Sequence, residues 1–246
     1  MHFEQIDKLK NELDLLRPLP AAAVRNLNEI YRVEWTYNSN AIEGNTLTLL
    51  ETKLVLEDGL TIGGKKLREH FEVINHAEAI LYVQDIVDRK IELSEYVVKS
   101  IHQLVLRNID DENAGRYRTV NVGISGSSHT PPHFTVVQEQ MENLIDWYLE
   151  KKDRLHPVEL AARLHFQFVY IHPFADGNGR TARLILNLIL MSRGFPPAIV
   201  KAEDEARLHY YETLEEAIAI GRLEPFFQLI AECVEDSLKR YIGAVK

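Results

Sequence analysis

Apolar residues recur every three or four positions along most of the chain, the spacing that places them on one face of an α-helix. The first segment shows it with Phe3, Ile6, Leu9 and Leu13, and a proline stop follows at Pro18. Comparable patterns, several with capping residues, predict further helices at residues 20–37, 49–59, 66–89, 94–107, 136–150, 157–171, 180–193, 203–220 and 224–242. We therefore expect an all-α fold.

One segment departs from the helical spacing. Between residues 114 and 134, β-branched and small residues alternate and then give way to Gly126, Ser127 and Ser128. Alternation around a glycine-containing turn is typical of a β-hairpin. We expect a short hairpin, or flap, on an otherwise helical body.

The composition excludes several classes of protein. Asp and Glu total 37 against 28 Lys and Arg, a formal charge of −9, which argues against a nucleic-acid binder with a basic face. The single cysteine, Cys233, excludes an internal disulfide framework and a zinc site built from several cysteines. The N-terminus lacks the apolar core of a signal peptide, and no window reaches the roughly 18 apolar residues of a membrane span. We expect a soluble cytoplasmic protein without membrane or nucleic-acid partners.

Residues 172–183, HPFADGNGRTAR, combine a proton acceptor with an anion-binding pattern. His172 follows an apolar helix, and an imidazole that titrates near neutrality can accept a proton from an attacking hydroxyl. Gly177, Asn178 and Gly179 carry little side-chain bulk at the start of the next helix. Unpaired amides and the helix dipole favour an anion at that end.

Three charged residues complete this pattern. Asp176 is suited to bind a magnesium ion that bridges phosphates. Arg180 and Arg183 are three positions apart on the predicted helix, so they project to one side and can each donate to phosphate oxygens. Each feature alone is typical of a structural turn or a solvated helix. Their conjunction indicates a nucleotide site with a base beside the phosphates.

A second stretch, SNAIEGN at residues 39–45, predicts how such a site could be restrained. Glu43 is expected at a helix end, with Gly44 as the stop. A carboxylate there opposes the helix dipole and requires a cation. Arg183 is a candidate, and the pair would occupy donors that a γ-phosphate requires. The alternative is a solvated glutamate at a helix end.

The 172–183 stretch matches every specified position of the motif HPFx[D/E]GNGRxxR, and the chain resembles the Fic (Fic/DOC) family over roughly residues 35–242. EGNTLT, GRYRT, LHPVELAA and VYIHPF carry the rest of the likeness. The resemblance implies a helical Fic domain at residues 46–246, preceded by N-terminal helices at residues 1–45. It also implies an enzyme that transfers AMP from ATP to a Ser, Thr or Tyr hydroxyl of a target protein, with Mg²⁺ as cofactor.

The resemblance also implies roles for single residues. These are His172 as general base, Asp176 as magnesium ligand, Gly177, Asn178 and Gly179 as anion hole, Arg180 and Arg183 as phosphate ligands, Tyr210 and Tyr211 at the adenine pocket, and Gly126, Ser127, Ser128 and His129 at the tip of a flap that positions the target. The two tyrosines could equally be packing residues. Glycine at position 179, where Doc-type kinases have lysine, favours nucleotidyl transfer over phosphorylation.

Ser39, Glu43 and Gly44 match the inhibitory motif of the family, which implies that Glu43 restrains the enzyme within the same chain. Glu43 could also position a water that removes AMP from a modified target. Two alternatives remain: a module that binds a nucleotide without transfer, and a Fic enzyme with another nucleotide donor. A homodimer could form through the helix at residues 184–190, although a buried core face explains the same pattern.

Overall fold

The structure is a computed structural model that describes residues 3–246; the first two residues of the predicted 1–45 segment lie outside the described part. The described chain is helical, as predicted. Its helices are α1 (Glu4–Leu15), α2 (Ala21–Ile42), α3 (Leu49–Asp58), α4 (Leu67–Asp88), α5 (Glu95–Leu106), a 3-10 turn (Phe134–Val136), α6 (Val137–Lys151), α7 (Pro157–Ile171), α8 (Asn178–Ser192), α9 (Asp204–Ile220) and α10 (Glu224–Val245).

Local chemistry sets many of the helix boundaries. Thr48 and Glu51 form a reciprocal capping box at the start of α3, and Gly59 ends that helix with a φ of 65°. Ser94 caps α5 by accepting a backbone N–H of the first turn. Pro157 occupies the first turn of α7, where its missing N–H costs nothing. These boundaries agree with the predicted ones.

Helix α2 continues five residues beyond its predicted end near residue 37. Three of the extra residues, Asn38, Ser39 and Asn40, are polar but buried, and the two asparagines bond back to the helix itself. Asn38 Nδ2 donates to the carbonyl of Glu34 (2.8 Å), and Asn40 Nδ2 donates to the carbonyl of Thr36 (3.0 Å). These bonds give the amide nitrogens of both asparagines an acceptor, and α2 carries Asn38, Ser39 and Asn40 into the interior of the fold.

Helix α8 lies at the centre of the fold, packed by α7, α4 and α5. Its residues from Asn178 to Leu190 are buried except Gly179, and they include the polar side chains of Arg180, Arg183 and Asn187 as well as the apolar ones. Residues 184–190 therefore face the core of the same chain. They offer no exposed surface for the homodimer contact suggested by the sequence. The same core includes Phe3 and Leu13 of the N-terminal segment. Within residues 3–246, no helix is long and apolar enough to cross a membrane.

The predicted β-hairpin is wrong: residues 3–246 contain no β-strand. Residues 116–133, called the flap segment below, form an irregular loop that turns at Gly126, whose φ is 79°. Its backbone makes a turn bond from the Ser127 N–H to the carbonyl of Ile124 (3.2 Å), and its Arg118 N–H finds a partner outside the segment, the carbonyl of Pro173 (2.9 Å). Pro131 and Pro132 have no N–H to contribute to a ladder.

Candidate nucleotide-binding site

The loop between α7 and α8 begins at His172, which leaves α7 in a left-handed conformation (φ 50°, ψ 60°). This conformation is uncommon for a residue with a side chain, and such strain is concentrated at functional sites. The Nδ1 atom of His172 is buried and has no hydrogen-bond partner among the described residues. Burial lowers the pKa of His172 to about 4, so the imidazole is neutral at physiological pH and able to accept a proton.

Phe174 anchors the loop in the core. Its buried ring stacks on His102 with centroids 3.5 Å apart and an angle of 3° between the planes. The N–H of Gly115 donates to His102 Nδ1 (2.9 Å), so Nε2 carries the proton and donates to the carbonyl of Asp176 (2.9 Å). His102 was not predicted as a site residue, because a histidine on an apolar helix gives no specific signal.

Asn178 closes the loop with its side chain. Its Oδ1 accepts the N–H of Phe174 and its Nδ2 donates to the carbonyl of Phe174, each at 2.9 Å. Gly177 precedes it with a φ of 75°, and a Cβ there would approach His102 Nε2 at 3.4 Å. The side chain of Asn178 therefore shapes the loop and leaves the backbone amides at the start of α8 free for a ligand.

The N-terminus of α8 has unpaired donors. The first intrahelical bond runs from the N–H of Thr181 to the carbonyl of Gly177, so the amides of Asn178, Gly179 and Arg180 precede the hydrogen-bonded part of the helix. No side chain in residues 3–246 caps this end. We call these amides, together with the Arg183 guanidinium, the anion site.

A carboxylate of the protein lies at the anion site. A Cβ added to Gly179 would collide with Glu43 Oε1 and lie 3.2 Å from Arg183 Nη1. Arg183 Nη2 donates to Glu43 Oε1 at 2.7 Å, so the predicted ion pair is present. Although burial disfavours its charged form, Glu43 holds the pKa of Arg183 above the ordinary value. Glu43 therefore takes the position that suits a bound anion.

Arg180, also buried, has different partners from Arg183. Its Nη2 lies 3.4 Å from Asp176 Oδ1 and its Nη1 lies 3.5 Å from Glu72 Oε1, both long contacts. Its Nε is buried without a partner among the described residues. A buried guanidinium with an unfilled donor requires a further acceptor, and a phosphate oxygen would supply one.

Asp176 stands at the edge of the anion site with 44% of its side chain exposed. Oδ1 accepts the N–H of Gly177 (2.5 Å) and Oδ2 accepts Arg68 Nη2 (2.5 Å). Although burial opposes ionisation, Arg180, the Gly177 amide and Arg68 hold the pKa of Asp176 below its usual range. The described residues contain no group of three metal-ligating side chains. One accessible carboxylate fits a magnesium ion that a nucleotide brings with its phosphates, not a cage built by the protein.

Comparison with known proteins agrees with this geometry. The sequence model of the Fic/DOC family matches residues 92–190, which include the whole 172–183 motif. A structure of Fic-1 from C. elegans is 38% identical, has a TM-score of 0.87, and covers 98% of this chain and 70% of its own.

The chain belongs to the Fic/DOC family. A Fic domain containing signalling protein from Bacteroides thetaiotaomicron is also similar, with a TM-score of 0.90, 30% identity and 98% coverage of both chains. The protein adenylyltransferase Fic of Nematostella vectensis is 41% identical over 246 residues, which is 98% of this chain and 56% of that relative. The chain spans about half the length of the curated Fic relatives that it matches.

The two tyrosines of this Fic chain have different surroundings. Tyr210 is buried, and its hydroxyl lies 3.5 Å from Arg183 Nη1 and 3.1 Å from His165 Nε2. Tyr211 is 38% exposed, and its hydroxyl donates to the carbonyl of Ile42 at 3.1 Å. Tyr210 therefore supports a guanidinium of the anion site, whereas Tyr211 contacts the end of α2.

The tip of the flap segment is held by α9. Glu215 accepts the hydroxyls of Ser127 and Ser128, the second at 3.0 Å, and also the N–H of Ser128 at 3.3 Å. His129 Nε2 donates to the carbonyl of Tyr170 at 2.7 Å, and so joins the tip to α7. Glu215 was not predicted, since a glutamate on a solvated helix carries no sequence signal.

Arg118 joins the flap segment to the Fic motif. Its Nε donates to the carbonyl of His172 (2.9 Å), and its two terminal nitrogens donate to the carbonyls of Val120 (3.1 Å) and Pro132 (2.5 Å). These bonds fix the backbone on both sides of the flap tip against the residue that would act as base. The GRYRT stretch was noticed for its family likeness, but its spacing gave no role to Arg118.

Proposed function

We propose that this chain is a protein adenylyltransferase that transfers AMP from ATP to a Ser, Thr or Tyr hydroxyl of a target protein, and that Glu43 restrains it. The observation that carries the proposal is the Glu43 carboxylate at the anion site, bonded to Arg183 (2.7 Å) beside unpaired amides of α8. A site that holds a carboxylate in this way is built for an anion. The curated relatives named protein adenylyltransferase support phosphate as that anion.

The residues of the motif support a direct transfer. The acceptor hydroxyl attacks the α-phosphorus of ATP, its proton passes to the neutral His172, and the bond from the α-phosphorus to the pyrophosphate oxygen breaks. The amides of α8 would stabilise the charge that develops on the phosphate oxygens, and Arg180 and Arg183 would bind the leaving pyrophosphate. Asp176 would hold Mg²⁺, which would neutralise phosphate charge when bound.

The restraint follows from competition for the same donors. Arg183 cannot fully serve Glu43 and a γ-phosphate at once, and the Glu43 oxygen lies where an anion would contact Gly179. Removal of the carboxylate therefore frees the anion site. Each tenfold gain in rate requires about 1.4 kcal/mol of relief, which one partly buried ion pair can supply.

The test uses ATP radiolabelled at the α-phosphate, with Mg²⁺ present. We expect Glu43→Gly to become labelled, or to label added protein, at least tenfold faster than the wild type, and Glu43→Gly/His172→Ala to lose that labelling. Glu34→Gln is the matched control, because Glu34 lies on the same helix and pairs with the distant Arg240 (2.7 Å). Equal labelling of the wild type and Glu43→Gly would refute the restraint. Undiminished labelling of the double variant would refute the role of His172.

A further inference from the structure

The C-terminal end of α2 is held by side chains from two other helices. The last four carbonyls of a helix have no partner within it. Here the carbonyls of Asn40 and Ala41 accept N–H groups of the turn that follows, whereas the carbonyl of Ser39 accepts Arg183 Nη2 (2.7 Å) and the carbonyl of Ile42 accepts the hydroxyl of Tyr211 (3.1 Å). Half of this helix end therefore depends on α8 and α9.

We propose that Tyr211 is a positioning residue for Glu43. Its hydroxyl fixes the carbonyl of Ile42, the residue directly before Glu43, and thereby keeps the Glu43 carboxylate on the anion site. This inference rests on the proposed function and names a residue that regulates it. It assigns to the hydroxyl of Tyr211 a role separate from any contact that the ring makes with adenine.

The surroundings of Tyr211 favour this role over simple packing. Tyr211 is 38% exposed, so its hydroxyl could have remained in water, yet the hydroxyl bonds to α2. Burial of the remainder raises the pKa of Tyr211, so the hydroxyl stays protonated and keeps its proton for donation. Glu43 is itself partly exposed at a helix end, where fraying is easy, and a fixed neighbour limits the positions that its side chain can reach.

Phenylalanine at position 211 separates the hydroxyl from the ring. It retains the ring, whose centroid lies 5.4 Å from that of Tyr210 and 5.9 Å from the Arg207 guanidinium, and it removes the hydroxyl that donates to Ile42. A net hydrogen bond corresponds to about a two- to tenfold change in an equilibrium. We therefore expect the restraint by Glu43 to weaken by about that factor in Tyr211→Phe.

The experiment is a double-mutant cycle of the wild type, Tyr211→Phe, Glu43→Gly and the double variant, with labelling from α-labelled ATP as readout. The rate change caused by Tyr211→Phe should be about two- to tenfold more favourable when Glu43 is present than when it is absent. Equal changes in both backgrounds would overturn the proposal. An equal loss of rate in both would also indicate that the hydroxyl contacts the nucleotide. Tyr96→Phe, at an exposed tyrosine of α5, is the control and should show no such dependence.

A binding readout keeps the inference testable if no transfer occurs. In the His172→Ala background, calorimetric titration with ATP and Mg²⁺ should show a two- to tenfold gain in affinity from Tyr211→Phe that disappears, or becomes a loss, when Glu43 is also replaced by glycine. A binding cycle without coupling would overturn the role of Tyr211. Absence of labelling in Glu43→Gly, with coupling in the binding cycle, would refute the proposed transfer and leave the positioning role intact.

Discussion

At the scale of single residues, the absence of a side chain at Gly179 leaves room for an anion at the anion site. Gly179 is helical, yet a Cβ there would collide with Glu43 Oε1 and stand 3.2 Å from Arg183 Nη1. The space that glycine leaves open is thus the space that the carboxylate occupies. The requirement for glycine comes from the ligand and not from the backbone, because any L-residue can adopt a helical conformation.

This reasoning predicts that Gly179→Ala separates stability from binding. In the Glu43→Gly background the methyl group should fill the anion site and lower the affinity for ATP at least tenfold, as measured by calorimetry. Stability should stay equal or rise by up to about 1 kcal/mol, because alanine favours helix. Gly243→Ala in α10, where a Cβ would meet nothing within 4 Å, is the matched control and should leave ATP affinity unchanged. Unaltered ATP affinity in Gly179→Ala would contradict this account.

At the scale of elements, α9 links parts of the molecule that are distant in sequence. Along one stretch of this helix, Tyr210 contacts Arg183, Tyr211 contacts α2, and Glu215 holds the tip of the flap segment. These residues are one to five positions apart, so they lie within about two turns of the helix. A movement of α9 would therefore reach the anion site, the C-terminal end of α2 and the flap segment together.

The contact between Glu215 and the flap tip gives a prediction at this scale. Glu215→Ala removes the acceptor of two serine hydroxyls and one N–H, so the tip should open more readily. We expect amide hydrogen exchange of residues 124–130 to accelerate at least tenfold, since each lost bond contributes about 0.5–1.5 kcal/mol. Glu216→Ala, which breaks only the exposed pair with Arg222, should not change it. Equal exchange in the two variants would show that Glu215 does not hold the tip.

At the scale of the whole molecule, the core contains histidines that stay neutral because they are buried. Burial lowers the pKa of His102 to about 4, of His165 to about 3 and of His172 to about 4, and it lowers the pKa of His76 well below the ordinary value. An unfolded histidine titrates near 6.5. Below pH 6.5 the unfolded chain binds protons that the folded chain cannot, so stability falls as the pH decreases. Each such histidine contributes about 1.4 kcal/mol per pH unit between its two pKa values.

With four such histidines, we expect the free energy of unfolding to fall by about 5 kcal/mol from pH 7.5 to pH 5.5. Urea denaturation at the two pH values measures it. The His165→Gln variant should lose about a quarter of this pH dependence. A glutamine in place of the exposed His209 should retain all of it. Carboxylates such as Glu69, with its pKa lowered to about 2, lose their contribution only at lower pH. An unfolding free energy that is constant between pH 7.5 and 5.5 would contradict the neutral state of the buried histidines.

The helices were predictable because their signals are local. Apolar spacing, the Thr48 cap and the Gly59 stop all lie within a few residues of the structure they specify. The flap segment was mispredicted because residue alternation does not reveal where the backbone groups find partners. Arg118 bonds that segment to the carbonyl of His172, and Glu215 holds its tip from α9; no local pattern records such contacts.

The candidate site was predictable where distant residues share a motif or a charge requirement. Glu43 and Arg183 are 140 residues apart. Their pairing was predictable because a carboxylate at a helix end needs a cation, and the 172–183 motif contains Arg183. His102 acts by stacking on Phe174 and by bonding the carbonyl of Asp176, and both contacts arise only from the folded packing. The bond from Tyr211 to the carbonyl of Ile42 is a contact of the same kind.

The most direct test of the central claim compares ATP labelled at the α-phosphate with ATP labelled at the γ-phosphate, both supplied with Mg²⁺ to the Glu43→Gly variant. Transfer of AMP predicts label on protein from the α-labelled ATP alone, and loss of that label in Glu43→Gly/His172→Ala. Label from the γ-position would show phosphorylation. ATP binding without label from either position would show a nucleotide-sensing module, and both of these results would contradict the proposed adenylyl transfer.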